Sequence, residues 1–430
     1  MKSVERTPIA PLLLQRFVGL AGGGITVGVL PFFLSSGELG YYFTYMNLLA
    51  AQIAFDCGLS YVILQKMGGF AIDAQRPDSI GLSARERISE LRLLLWTWSR
   101  RAALLFCCAM LSATPWLKRG DVDGSELMLW LALVPCVAMA FLTNTRLAYF
   151  EGRGRMADVA LLRAKQGLVG AVLFVLVLWT GGGLWAALAP PIVQSVSATL
   201  WIQREDVGRS AFVELSPRLW RDGVWPMQWR IALSWAAGYA ATAIFVPATF
   251  AYHGPVEAGK LGISQAVFGA VALLSQAWPV SQNIHYCILF KEGCYQELWE
   301  LLREGLFKVQ IFCVSSIAIL TVLWYWMGVQ LPSVGLRFVE FVDVVYLGLA
   351  TWIGSIIATL AVFLRARQQE PLLLPSLMTG LGALLIVIFL AERGVTAMLA
   401  ANACLLMFAI LPWVVYIAWR AWQRDFGKDA

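Results

Sequence analysis

Few side chains in this sequence can do chemistry, and those that can stand against long apolar blocks. Asp56 is the one acid well inside such a block, in the run LLAAQIAFDCGLSYVIL. An ionisable group in hydrocarbon is costly, so a role or a partner is expected of it. Gln52, Asp56 and Ser60 recur at i, i+4 and i+8, which predicts one polar stripe on a helix, turned to a cavity or a neighbouring helix. The stripe admits two readings: a protonation or cation site for ion coupling, or a structural hydrogen bond or ion pair with Arg16 as candidate partner. Arg16, Arg146, Arg163, Lys165 and Arg230 lie within a turn or two of the ends of five apolar blocks. Pointing inward, they form a positive mouth suited to phosphate, whose oxygens a guanidinium fork binds in pairs. Pointing outward, they snorkel to headgroups and anchor the chain.

Other chemistries lack their residues. His253 and His285 sit far apart at loop edges, which disfavours acyl transfer and a metal site. The eight cysteines form no CxxC pair, so neither zinc nor a disulfide framework is expected. There is no phosphate-binding Walker loop, so no cofactor is expected, and energy must come from an ion gradient or from the substrate's own gradient.

The elements that position these residues follow from hydropathy. The chain is 59% hydrophobic and 14% charged over 430 residues, against about 45–50% and about 25% for soluble domains. The excess falls into blocks long enough for a helix to cross about 30 Å of hydrocarbon: 12–34, 42–64, 102–117, 127–150, 166–179 and 183–202, then 231–251, 261–283, 309–327, 341–364, 372–391 and 395–419. This predicts an all-α integral membrane protein of about 12 transmembrane helices. The third and fifth blocks are short, and 84–101 reads as an amphipathic helix on the membrane surface before the third. The first block is too long for a signal-peptide core and reads as an uncleaved span.

With the N-terminus cytoplasmic, 28 of the 33 Lys and Arg residues fall on the inner side; only Lys118, Arg119, Lys260, Arg337 and Arg393 fall outside. That asymmetry supports an even number of spans with both termini in the cytoplasm of an inner-membrane protein. The net charge of +6 is therefore topological and points to no nucleic acid. The halves also echo each other. Gly37-Glu38-Leu39-Gly40 follows the first span, and Gly254 to Gly259, ending Glu257-Ala258-Gly259, follows the seventh, 219 residues on. The same shift carries Glu151 onto Glu370. Six spans per half make this a parallel repeat, with an N-terminal lobe of 1–215 and a C-terminal lobe of 216–430. Gly19 with Gly23, and Gly24 with Gly28, give the spacing of close helix packing or of a bending helix in the first span. Prolines interrupt later spans at Pro135, Pro190, Pro191, Pro247, Pro279 and Pro412.

The stretch SSGELGYYFTYMNLLAAQIAFDCGLS, Ser35 to Ser60, resembles the start of the polysaccharide flippases (Wzx-type) of the multidrug/oligosaccharidyl-lipid/polysaccharide exporter superfamily. In that family a Glu-x-Gly loop precedes a second helix ending in Asp-x-Gly, here Asp56-Cys57-Gly58. The loop Phe150-Glu151-Gly152-Arg153-Gly154-Arg155-Met156 resembles the family's loop after helix four, and Gly254 to Gly259 its loop after helix seven. The resemblance implies two six-helix lobes in a V around a central cavity, opening alternately to each side. It implies a substrate of lipid-linked oligosaccharide on undecaprenyl pyrophosphate, for O-antigen or another surface polysaccharide, and work beside a polymerase and glycosyltransferases. It favours the inward reading of Arg16, Arg146 and Arg230. Position 275, the mirror of Asp56, is Ser275, so no second-half acid pairs with it in the repeat. An ion-coupled drug or metabolite exporter of the same superfamily is the alternative, with Asp56 as its support. A membrane enzyme is disfavoured, because outer loops of about 4 to 13 residues leave no room for an active site.

Overall fold

The computed structural model describes residues 9–73, 79–117, 124–205, 219–330, 335–365 and 372–426, and no strand occurs among them. Helix fills every apolar block. The first six are α1 (Ile9–Phe33), a second span in three pieces, α2 (Ser36–Leu49), α3 (Gln52–Asp56) and α4 (Leu59–Asp73), then α5 (Ser79–Ser112), α6 (Gly124–Phe150), α7 (Met156–Trp179) and α8 (Ala189–Glu205). The rest are α9 (Trp225–Ala243), α10 (Phe245–Ser275), α11 (Ala277–Glu292), α12 (Tyr295–Gln330), α13 (Phe341–Arg365), α14 (Leu373–Leu390), and α15 (Val395–Cys404) joined by a π-helical turn to α16 (Leu411–Phe426). Among the described residues eight stretches are long and apolar enough to cross a membrane. Two of these, Gly124–Trp179 and Trp225–Asn283, run over two sequence blocks each; the broken second span and α8 fill the remaining two blocks. Large apolar side chains such as Phe32 and Trp179 are more than 70% exposed, the mark of a surface solvated by lipid.

The sequence blocks and the helices differ where helix continues past the apolar run. The expected surface helix over 84–101 is no separate element, since α5 runs unbroken from Ser79 to Ser112. Its Leu91, Leu94 and Leu95, at i, i+3 and i+4, are buried against Val62, Ile63 and Met67 of α4. The fifth span, expected to be short, begins at Met156, which places Arg163 and Lys165 inside helix α7. Hydropathy marks where lipid ends, whereas a helix runs on wherever its polar face still finds water or a packing partner. Prolines account for several breaks, because the ring at i has no N–H for the carbonyl at i−4 and clashes with it. Pro247 follows the end of α9 at Ala243 by four residues, and Pro279 follows the end of α10 at Ser275 by four.

Two compact units emerge. Unit 1 holds the described residues up to Ser35 and those of Tyr45–Ala236; unit 2 holds Ser36–Thr44 and the described residues from Ala237 on. The core of unit 1 is the cluster around Leu59, Val62, Ile63, Met67, Leu147 and Phe150. That of unit 2 gathers Tyr286, Leu302, Phe363, Leu364, Ile410 and Val414. Within unit 2, the two copies of the repeated glycine signature touch. A Cβ on Gly40 would overlap the carbonyl oxygen of Pro255, and one on Gly259 would stand 2.7 Å from the Ser36 carbonyl oxygen and 2.8 Å from the Gly40 nitrogen. These glycines exist so that α2 and α10 can meet backbone to backbone. The other repeated pair lies half outside the described residues, since Glu370 does.

Candidate functional site

Asp56 ends α3. After it Cys57 (φ 50°) and Gly58 (φ 68°) take left-handed backbone, and α4 starts at Leu59. Only glycine suits position 58, because a Cβ there would overlap the Ile231 side chain as well as meet the left-handed penalty. The stripe predicted on one continuous helix is thus carried across a break. Asp56 is 5% exposed. Its Oδ1 accepts the Ser60 hydroxyl at 2.7 Å and the Thr145 hydroxyl at 3.4 Å, and its Oδ2 accepts the Ser60 backbone N–H at 3.3 Å. A carboxylate beside the first turn of α4 meets the N–H groups that a helix leaves open and the positive end of its dipole. These are the partners a buried carboxylate requires, and they come from Ser60 and Thr145, with Arg16 exposed to solvent or lipid.

Gln52, Asp56 and Ser60 still share one cavity of about 370 Å³ with Asn144, Thr145 and Arg163, and the rings of Phe141 and Trp235 also line it. Arg163 Nη1 pairs with Glu151 Oε1 at 2.7 Å. Glu151 opens the π-helical segment Glu151–Arg155 that links α6 to α7, so the polar loop after helix four holds this guanidinium. Behind the cavity wall runs a ladder of amides: Asn144 Nδ2 donates to Gln194 Oε1 at 3.3 Å, and Gln166 Nε2 donates to the Gln194 carbonyl at 3.3 Å and to Ser197 Oγ at 2.9 Å. On the other side of the break, Ala54, Phe55 and Cys57 line a second cavity of about 400 Å³ with Trp98, Arg101 and Leu105. The helix break therefore separates a polar cavity from an apolar one.

The five cations are not gathered into one mouth within unit 1. Arg163 lines the Asp56 cavity. Arg146 is half-buried, donates from Nε to Ser99 Oγ at 3.2 Å and lies 5.2 Å above the Trp96 ring. Arg16, Lys165 and Arg230 are exposed, and Arg230 rests 5.5 Å from the Trp229 ring. In unit 2 a ring nitrogen of His253 lies 2.7 Å from the Ala391 carbonyl oxygen, while His285 is exposed. No group of three His, Cys, Asp or Glu side chains is placed to hold a metal among the described residues.

The spacing of polar residues along the chain does not single out Thr145, Asn144, Gln166 or Gln194. Asn144 and Thr145 belong to the polar run Thr143-Asn144-Thr145-Arg146, Gln166 follows Lys165 and Gln194 precedes Ser195, and such polar runs in or at the edge of an apolar block are the available signal.

No family model matches this sequence, and no curated protein matches it. Solved structures do. The lipid II flippase MurJ in an inward closed conformation matches with a TM-score of 0.65 at 10% identity, over 95% of this chain and 86% of its own. A multidrug resistance MATE family transporter of the MOP superfamily, inward-facing, matches at 0.62 and 11% identity over 94% of this chain and 97% of its own. A MOP superfamily transporter from Pyrococcus furiosus, described by the reverse polarity of its binding pocket, matches at 0.57 and 13% identity over 96% and 94%. The chain has the all-helical membrane fold of MOP-superfamily transporters, and the solved structures named here are transporters and a flippase.

Proposed function

We propose that this chain is a flippase of the polysaccharide-transporter (Wzx-type) branch, carrying an undecaprenyl-pyrophosphate-linked oligosaccharide across the bacterial inner membrane by alternating access. The unit carried belongs to O-antigen or another surface polysaccharide, and both chain termini lie in the cytoplasm. The observation that carries this reading is the charge balance beside Asp56. The carboxylate is already satisfied by Ser60 and Thr145, and a guanidinium, Arg163, lines the same cavity. An exporter of cationic drugs needs surplus negative charge, and with Arg163 paired to Glu151 the cavity offers one carboxylate, already held by three hydrogen bonds. The inner-face cations offer the opposite: exposed Arg16, Lys165 and Arg230 are available to a pyrophosphate, while Arg163 is paired with Glu151 and Arg146 is held by Ser99 and Trp96. The partners are the polymerase and glycosyltransferases that extend and supply the unit.

A second reading keeps one observation in its favour. A buried carboxylate beside two aromatic rings also suits an ion-coupled exporter of aromatic cations, with Asp56 and Gln52 as the coupling site. Deleting the gene in its host separates the two. The flippase reading expects unextended lipid-linked units to accumulate in the cytoplasmic leaflet and the surface polymer to vanish. Persistence of the polymer with no redundant transporter sinks it, and a rise in drug accumulation that Asp56→Asn reproduces installs the exporter instead.

A further inference from the structure

We propose that the cavity beside Asp56 is a sugar-ring site, in which one neutral pyranose of the glycan docks while the pyrophosphate is held by cations elsewhere. The proposal rests on the flippase reading and names what this cavity recognises. Its volume of about 370 Å³ stands at the small end of ligand pockets, about 300–1,000 Å³, so it takes a ring-sized ligand rather than a whole oligosaccharide.

The wall chemistry selects the class. Gln52 makes no side-chain hydrogen bond to another described residue, so its amide presents a donor and an acceptor to the cavity. Asn144 spends its Nδ2 on Gln194, which leaves its Oδ1 open. Arg163 commits Nη1 to Glu151 and retains further N–H donors. Ser60 and Thr145 donate to Asp56, so each hydroxyl oxygen still accepts. Hydroxyl groups both donate and accept, and this mixed set answers them. The rings of Trp235 and Phe141 supply apolar surface against which the C–H face of a pyranose packs. Charged ligands fit worse. An anion entering the cavity meets the Asp56 carboxylate with Glu151 behind Arg163, and a cation meets Arg163 itself.

The test uses the full chain in lipid nanodiscs, free of sugar-based detergent, and saturation-transfer NMR with a panel of neutral hexoses, N-acetylhexosamines, glucuronic acid and tetraphenylphosphonium. The expected result is saturation of at least one neutral sugar, with affinity about tenfold weaker in Gln52→Leu and in Asn144→Leu. Trp235→Leu should abolish the signal and Trp235→Phe retain it, with remote Ser281→Ala unchanged. The proposal is overturned if no neutral sugar saturates, if Gln52→Leu and Asn144→Leu bind as wild type, or if only the acid or the phosphonium is displaced by these changes. Its failure is separable from that of the flippase reading. Full surface polymer from the Gln52→Leu, Asn144→Leu double variant removes the sugar site and leaves the flippase. Sugar binding by a protein that cannot restore polymer to the deletion strain keeps the site and removes the flippase.

Discussion

In the first half the second span breaks after Asp56, where Cys57 and Gly58 turn left-handed; in the second half the corresponding span breaks at Gln276, where φ is −80° and Pro279 is the cause. The first break is sharp and charged, and it opens on a cavity. Three donors from Ser60 and Thr145 hold its carboxylate. The second is shallow and neutral and closes on one serine. Gln276 Nε2 donates to the Ser355 carbonyl at 3.1 Å and Gln310 Nε2 donates to Ser355 Oγ at 3.3 Å, while the Oε1 atoms of both glutamines are buried without a partner. The break is thus the repeated, architectural feature and the charge is not. Hydrogen bonds to a charged group are worth about 1.5–3 kcal/mol and neutral ones about 0.5–1.5. The Asp56 carboxylate accepts a helix N-terminal N–H and two hydroxyls, whereas the Gln276 amide donates its own N–H to a carbonyl.

The comparison can be broken from its strongest point downward. Gly58→Val combines a left-handed backbone with overlap on Ile231 and should destabilise the protein by about 3 kcal/mol or more, read as lost expression or a collapsed melting temperature in detergent. A melting temperature near wild type would mean that the break is not built on this glycine. Next come two changes at Asp56. Asp56→Leu strands the hydroxyls of Ser60 and Thr145 and should cost about 2–4 kcal/mol, whereas Asp56→Asn keeps an acceptor and should melt close to wild type. Transport separates the roles: an Asp56→Asn protein that is stable yet inactive would make the carboxylate a titrating group rather than a structural partner. The smallest effect belongs to the second break. Gln276→Leu removes a buried unpartnered oxygen, and the Ser355 carbonyl still accepts the Thr359 hydroxyl at 2.8 Å. Its melting temperature should move by no more than about 1 kcal/mol of stability in either direction. A large loss there would mean that the two breaks are energetically alike after all.

Much of this was legible in order along the chain. Asp56 and Gln52 stood out because polar residues in apolar blocks are few, and the two Glu-x-Gly pairs marked the glycines at which α2 and α10 meet. What the stripe Gln52, Asp56, Ser60 concealed was that the helix breaks between its second and third members, because left-handed backbone at Cys57 is invisible in a pattern of polarity. Arg163 and Lys165 admitted both an inward and an outward reading; Arg163 lines the cavity and Lys165 is exposed, and both lie inside α7, which starts ten residues before its apolar block.

The sequence by itself determined the solvent and the apolar blocks that the helices fill, because hydrophobic length is summed along the chain and needs no partner to be read. Only the tertiary structure decided what Asp56 does locally. Its donor Thr145 lies 89 residues away and the guanidinium across the cavity lies still further. A buried charge is stabilised by whatever donors the fold brings within about 3 Å, and that neighbourhood is a property of packing between helices, not of any one of them.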